Sequence, residues 1–315
     1  NPDTVTDLNT FDPGQSTDLA SIGAVDLVFT GLVAENDQLQ VVPQLAHDYH
    51  VSSDGLTWTF HLKSNVHFSD GSALTSQDVV YSIDRALSPT IYNLNGISLT
   101  YLGLIKGATD RTTGAIPTMI GPGLGLETPD ANTVLIHVTT PTAYFLQALT
   151  YPAGYVVEKK VIDQWGLKWT DHLSDNGGQG GAGPFKVLDY NHSTGITFVP
   201  NTNYYGPVPQ LQKYEIPFIK DTQTNYLDYE ANQVDITSIP TADNNKAQAL
   251  TNQFRSVPQL ATNYYGMNYL VKPFDNIKIR QALELAINKD VIVQRILQGQ
   301  AIPTNHIIPK GMPWG

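Results

Sequence analysis

The chain has no cysteine, only 18 basic residues in 315, and no long apolar run. The first absence excludes disulfides, thiolate metal centres and cysteine nucleophiles. The second, with a net charge of −11 and no cluster of Lys or Arg, excludes the concentrated positive field that nucleic acid or an anionic membrane requires. The third leaves no stretch near the ~18 residues of a membrane-spanning helix. The first residues, NPDTVTDLNT, carry no signal peptide, so an exported chain is expected to have lost its targeting segment.

What is present is a polar, weakly charged globular composition: 41% hydrophobic, 15% charged, 16 tyrosines. The length allows about two domains. Leu56, Trp58, Phe60 and Leu62 alternate with Thr57, Thr59, His61 and Lys63, which predicts a strand with one buried face. Residues 133–138, 195–199 and 264–270 read as further strands. In the last, one of Tyr264 and Tyr265 is expected in the core and the other toward a cleft.

Thr75 with Asp78 three positions on predicts a capped helix whose apolar stripe is Val79, Val80, Ile83, Ala86 and Leu87, stopped by Pro89. A second helix is expected over 276–287, and a third after Asn288 with Gly299 as its left-handed C-terminal residue. The glycine-rich run NGGQGGAGP, Asn176 to Pro184, reads as a flexible junction. Strands and helices in alternation, with long excursions, point to an α/β protein of at least two lobes.

Candidate chemistry is thin. His61 and His67, six residues apart, would sit about 20 Å apart along a strand, too far for one metal. Asp70-Gly71 reads as a turn and Asp78 as a first-turn acid. His47 and His50 could meet on a helix at spacing three, but their framing by Pro43 and Asp54-Gly55 favours solvated surface histidines. GQGGAG, residues 178–183, matches a dinucleotide fingerprint formally, yet Pro184 and the strand-like FKVLDY follow where a helix is required. The sequence has no GxSxG, HExxH, Walker or EF-hand motif. A glycosidase carboxylate pair remains an alternative, because 29 acidic residues offer many pairs and spacing does not reveal which meet.

Several segments, read in order, resemble one family: LNTFDP (8–13), VFTGLV (28–33), VVPQLAHDYHVSSDGLTWTFHLKSNVHFSDGSALTSQDVVYSIDRAL (41–87), GAGPFKV (181–187), NYYGP (203–207), NQVDITSIP (232–240) and the long run 263–303. Together they resemble the family 5 extracellular solute-binding proteins, the peptide, oligopeptide and nickel receptors of bacterial ABC importers. The resemblance implies a type II periplasmic-binding-protein-like fold, with two hinged lobes and an extra scaffold domain. Lobe one would comprise 1–30 and 157–262, the scaffold domain 31–156, and an incomplete lobe two 263–315, the chain being truncated at its C-terminal end.

It further implies a receptor rather than an enzyme, without cofactor or metal, located outside the cytoplasm as a periplasmic protein or cell-surface lipoprotein. Its partners would be a membrane permease and a small solute, expected to be a peptide, with a nickel chelate or oligosaccharide as other options. Matching positions give Thr17, Asp18 and Leu19, in an extended segment after the DP motif, as ligand contacts. Thr237, Ser238 and Tyr264 would join them from the cleft, with Tyr92 beyond the capped helix.

Overall fold

The computed structural model describes residues 5–257 and 261–309. They fall into two compact units that divide between Lys220 and Asp221.

The first unit holds three sheets whose paired strands all run antiparallel. Strands β1 (Val33–Glu35) and β2 (Val41–Pro43) form a short ribbon. β3 (Ala46–Val51), β4 (Thr57–Leu62), β5 (Leu126–Asp130) and β6 (Thr133–His137) form a four-stranded sheet in the order β3-β4-β6-β5. β7 (Phe185–Asn191), β8 (Gly195–Pro200) and β9 (Tyr214–Pro217) form the third. The predicted strands at 57–62, 133–138 and 195–199 are thus present, and the overall architecture is the expected mixed α/β one.

Alternation decides which side is buried. In β4 Phe60 and Leu62 face inward, opposite the buried Val134 of β6, with Trp58 packed at the edge of the same core. Helix α1 (Leu19–Val28) packs on β7, and helix α2 (Ser76–Ala86) packs on β5 and β6. The α2 start is the predicted capping box: Thr75 N–H donates to the Asp78 carboxylate at 2.8 Å, and the Thr75 side chain accepts from the backbone of Asp78. All five residues of its expected apolar stripe are buried. Pro89 does not stop α2, which ends at Ala86. It opens helix α3 (Pro89–Asn95) instead, at a first-turn position where its missing N–H has no intrahelical partner to lose.

Two buried apolar clusters result. One gathers Leu32 to Val156 and Ala182, around Phe60, Phe68, Ile83 and Phe145. The other gathers residues from 5–29 and 157–216, around Phe11, Phe29, Trp169 and Phe198. Its aromatic rings meet edge to face, Phe11 on Phe29 at 6.1 Å and Phe29 on Trp169 at 5.7 Å, the arrangement their quadrupoles favour.

The glycine run is not a flexible junction. Gly178 to Gly183 are all buried, and Gly183 N–H donates to Val28 O at 2.7 Å. A side-chain carbon at Gly181 would lie 2.2 Å from Val28 O, so glycine is required here by close approach of two backbones.

In the second unit the helices Thr222–Glu230 and Ile277–Ala286 start at Asp221 and Asn276, whose side chains accept from Thr224 N and Lys278 N. Asn288 caps the next turn, which continues as a π-turn over Ile292–Ile296 before Gly299 at φ +81°. The expected strand at 264–270 is absent. The segment is irregular, without ladder partners among the described residues, and Tyr264 (71%) and Tyr265 (88%) are both exposed, so neither is core. Alternation gives a strand only where another strand accepts its hydrogen bonds.

Candidate functional site

The segment after the DP motif is built on a buried ion pair. Asp12 is 3% exposed and receives Arg85 Nη1 at 3.0 Å and Nη2 at 2.5 Å, Trp169 Nε1 at 3.1 Å and Gly14 N–H at 3.0 Å. The guanidinium also lies over the Trp169 ring at 5.5 Å. Burial alone would raise the Asp12 carboxyl, but the charge and hydrogen bonds of Arg85, aided by Trp169 and Gly14, hold it below the usual carboxylate range. A buried carboxylate with this many donors is fixed in place, and so is the chain leaving it.

That chain runs extended. Ser16 (φ −69°, ψ 125°) and Asp18 (φ −108°, ψ 153°) both have strand-like backbone before α1 begins. Its carbonyls are tied back to the scaffold. Ser16 O accepts from the Tyr151 hydroxyl at 2.8 Å, and Gln15 O accepts from the Asn95 side-chain amide. Tyr151 stacks on Tyr101 at 3.6 Å; burial, reinforced by Tyr101, pushes its phenol up to about 12, so it stays a donor. Ser16 is fully buried, while the exposed Thr17 has no hydrogen-bond partner for its N–H among the described residues. The result is a short, held extended segment offering one free main-chain donor, at Thr17, the kind of group that strand addition by a peptide uses.

Of the residues expected from sequence, Thr17 is exposed on this segment, whereas Leu19, 67% exposed, does not lie in the extended run as expected but opens helix α1, because Asp18 caps the helix there. Asp18 already has a structural task. It caps α1 by accepting Ser21 N–H at 2.9 Å and holds Asn9 at 3.0 Å; these bonds outweigh partial burial and keep its carboxyl low. Tyr92 lies on α3, next to Ile91, whose methyl would be 3.4 Å from a side chain at Gly14, and its own ring covers Gly96 at the end of that helix.

Thr237, Ser238 and Tyr264 belong to the second unit. Thr237 and Ser238 are half-buried in an irregular segment held by Gln300 Nε2 on Ile239 O at 3.1 Å, and no hydrogen bond joins either to Tyr264 among the described residues. Sequence reading missed Arg85, Trp169 and Tyr151. The one available signal was Arg85 itself, a charge in the last turn of α2 beside the apolar Ala86 and Leu87. A shallow cavity of about 220 Å³ lies beside the buried pair, between Tyr81, Arg85, Ile91, Ile162 and Leu167, and contains none of the expected residues.

Comparison with known proteins gives a concordant result. The sequence model of the bacterial extracellular solute-binding proteins, family 5, middle region, matches residues 40–315. The chain is 29% identical over 287 residues to the dipeptide-binding protein of Escherichia coli K12, covering 88% of this chain and 51% of that protein. It is 30% identical over 327 aligned residues to the dipeptide-binding protein of Lactococcus lactis, covering 98% and 56%. Among solved structures, the murein tripeptide-binding protein MppA of E. coli superposes with a TM-score of 0.84 at 28% identity, over 99% of this chain and 59% of that one. The chain therefore spans about half the length of the curated relatives it matches. With a family match over most of its residues, it belongs to family 5 of the bacterial extracellular solute-binding proteins.

Proposed function

We propose that the chain is part of an extracytoplasmic receptor for an ABC importer that takes peptides and releases them unaltered to a membrane permease. The observation that carries this reading is the extended Ser16–Asp18 segment, held by Asp12, Arg85 and Tyr151, with the N–H of the exposed Thr17 free among the described residues. Main-chain pairing to such an edge gives affinity that is indifferent to ligand side chains. The names of the E. coli and L. lactis relatives, both dipeptide-binding proteins, support peptides over nickel chelates or oligosaccharides. Membership of a solute-binding family favours a receptor over the glycosidase alternative, and binding without catalysis.

In this reading Thr17, Asp18 and Leu19, with Tyr92 of the scaffold domain, are the ligand contacts from the first compact unit, and Thr237, Ser238 and Tyr264 those from the second. The buried clusters, one within 32–156 plus Ala182 and the other from 5–29 and 157–216, support a scaffold domain at 31–156 and a lobe drawn from 1–30 and the chain after 157, whereas the compact units divide at Lys220–Asp221 and give the proposed extension of that lobe to 262 no support. Ligand favours the closed form to the extent that it makes contacts there that the open form lacks.

Titration with a mixed-sequence tripeptide pool, followed by chromatography of the recovered ligand, tests the proposal. Saturable binding with intact peptide is expected. Cleaved peptide, or cleavage of an added oligosaccharide, would overturn it.

A further inference from the structure

The wet face of the β3–β4 pair carries a cluster that peptide binding leaves unused. β3 is the edge strand of its sheet, and the register sets Asp48 opposite His61 and His50 opposite Thr59. Facing residues of an antiparallel pair share a side, as do positions two apart on one strand. Asp48, His50 and His61 therefore project together into solvent, while Tyr49 and Phe60 turn to the core. The register shift between Ala46 and Asp48 is a bulge that inserts His47, whose Nδ1 lies 3.0 Å from Asp48 Oδ2. This strand placement corrects the helical pairing of His47 with His50 considered from sequence, and separates His61 from His67, which bridges to Ala73.

His61 Nδ1 is 2.6 Å from Asp48 Oδ1, the His50 and His61 rings are 5.7 Å apart, and one ligand atom each from Asp48, His50 and His61 lies within 4.8 Å of the other two. We propose that these three side chains form a site for a divalent transition metal of the zinc class, with water in the remaining position. Two imidazole nitrogens and one carboxylate oxygen suit zinc or copper, whereas calcium and magnesium prefer all-oxygen sets. Metal–ligand bonds of about 2.0–2.2 Å bring neighbouring ligand atoms to roughly 3.4 Å. Closing from 4.8 Å takes rotation of exposed side chains and no movement of the paired backbone.

His47, 3.0 Å from Asp48 Oδ2, orients the oxygen that the metal does not take. A bound ion would clip the edge strand β3 to β4, in a chain that has no disulfide to do so.

Calorimetric titration of the whole chain with zinc chloride tests the site. One equivalent is expected with a micromolar dissociation constant, reversed by EDTA and weakened about tenfold or more by His61→Ala, by His50→Ala and by Asp48→Asn. His67→Ala and His192→Ala, the latter paired with Asp7 elsewhere, are expected to bind as the parent does. All three ligand side chains are exposed, and an unchanged circular dichroism spectrum confirms that each variant is folded. Binding that ignores His61→Ala, or several weak equivalents, would mean an adventitious ion only and would overturn the proposal.

Discussion

Helix α2, Ser76–Ala86, buries eight of its eleven residues, while the helix Ile277–Ala286 in the second unit buries none of its ten. Both begin at a capped N-terminus and both carry an apolar stripe. Around α2 the stripe meets β5 and β6 and joins the cluster built on Phe60 and Ile83. In 221–309 the only buried apolar residues among those described are Tyr226, Ala247 and Val293, and Leu285 stands 88% exposed. Caps and periodicity decide that a helix forms; burial is decided by whether a facing surface exists elsewhere in the chain. Stability should therefore be concentrated in residues 5–220.

The sharpest way to break this contrast is to remove a charge from each region. Arg85→Ala leaves Asp12 buried without its counter-ion and is expected to cost about 3–5 kcal/mol, read as a lowered urea midpoint. Lys246→Ala, which removes an exposed partner of Glu230 in the second unit, is expected to leave that midpoint unchanged. The same pair predicts acid sensitivity. Asp12 has a depressed folded-state pKa, so its contribution is fully present above the unfolded value of about 3.9 and is lost as pH falls through the lower folded one. The urea midpoint of the parent chain should fall over that acid window, and that of Arg85→Ala should fall less.

A smaller effect separates two glycines. Gly181→Ala forces a carbon against Val28 O and is expected to cost about 1–3 kcal/mol, whereas Gly266→Ala meets only the Tyr264 ring at 3.8 Å and is expected within about 0.5 kcal/mol of the parent. Equal costs would contradict the placement of the first backbone crossing.

Which features were legible in the sequence follows from the range of the interactions involved. Thr75 with Asp78, the alternation in 57–62 and the Asn288 cap depend on neighbours within a few residues, and the structure shows all three. The glycine run misled because its reason is Val28, some 150 positions away by the numbering; composition alone cannot tell a hinge from a close approach. Tyr264 to Leu270 misled because alternation does not supply a pairing partner. At the candidate site, the DP motif and the extended segment after it were readable. The Arg85, Trp169 and Tyr151 contacts that hold it come from residues 73 to 157 positions away. The Asp48, His50 and His61 cluster was hidden for the same reason, since it needs the β3–β4 register and the bulge at His47.

The central claim is that a peptide is gripped through the main chain at Ser16–Asp18. Affinity for the tightest tripeptide of the pool, measured for Thr17→Pro against Thr17→Ala, tests it most directly, because proline removes the free N–H while alanine removes only the side chain. Losing one such hydrogen bond is worth about 0.5–1.5 kcal/mol, so the proline variant should bind roughly two- to tenfold more weakly and the alanine variant as the parent does. Equal affinity for the two variants would contradict the account.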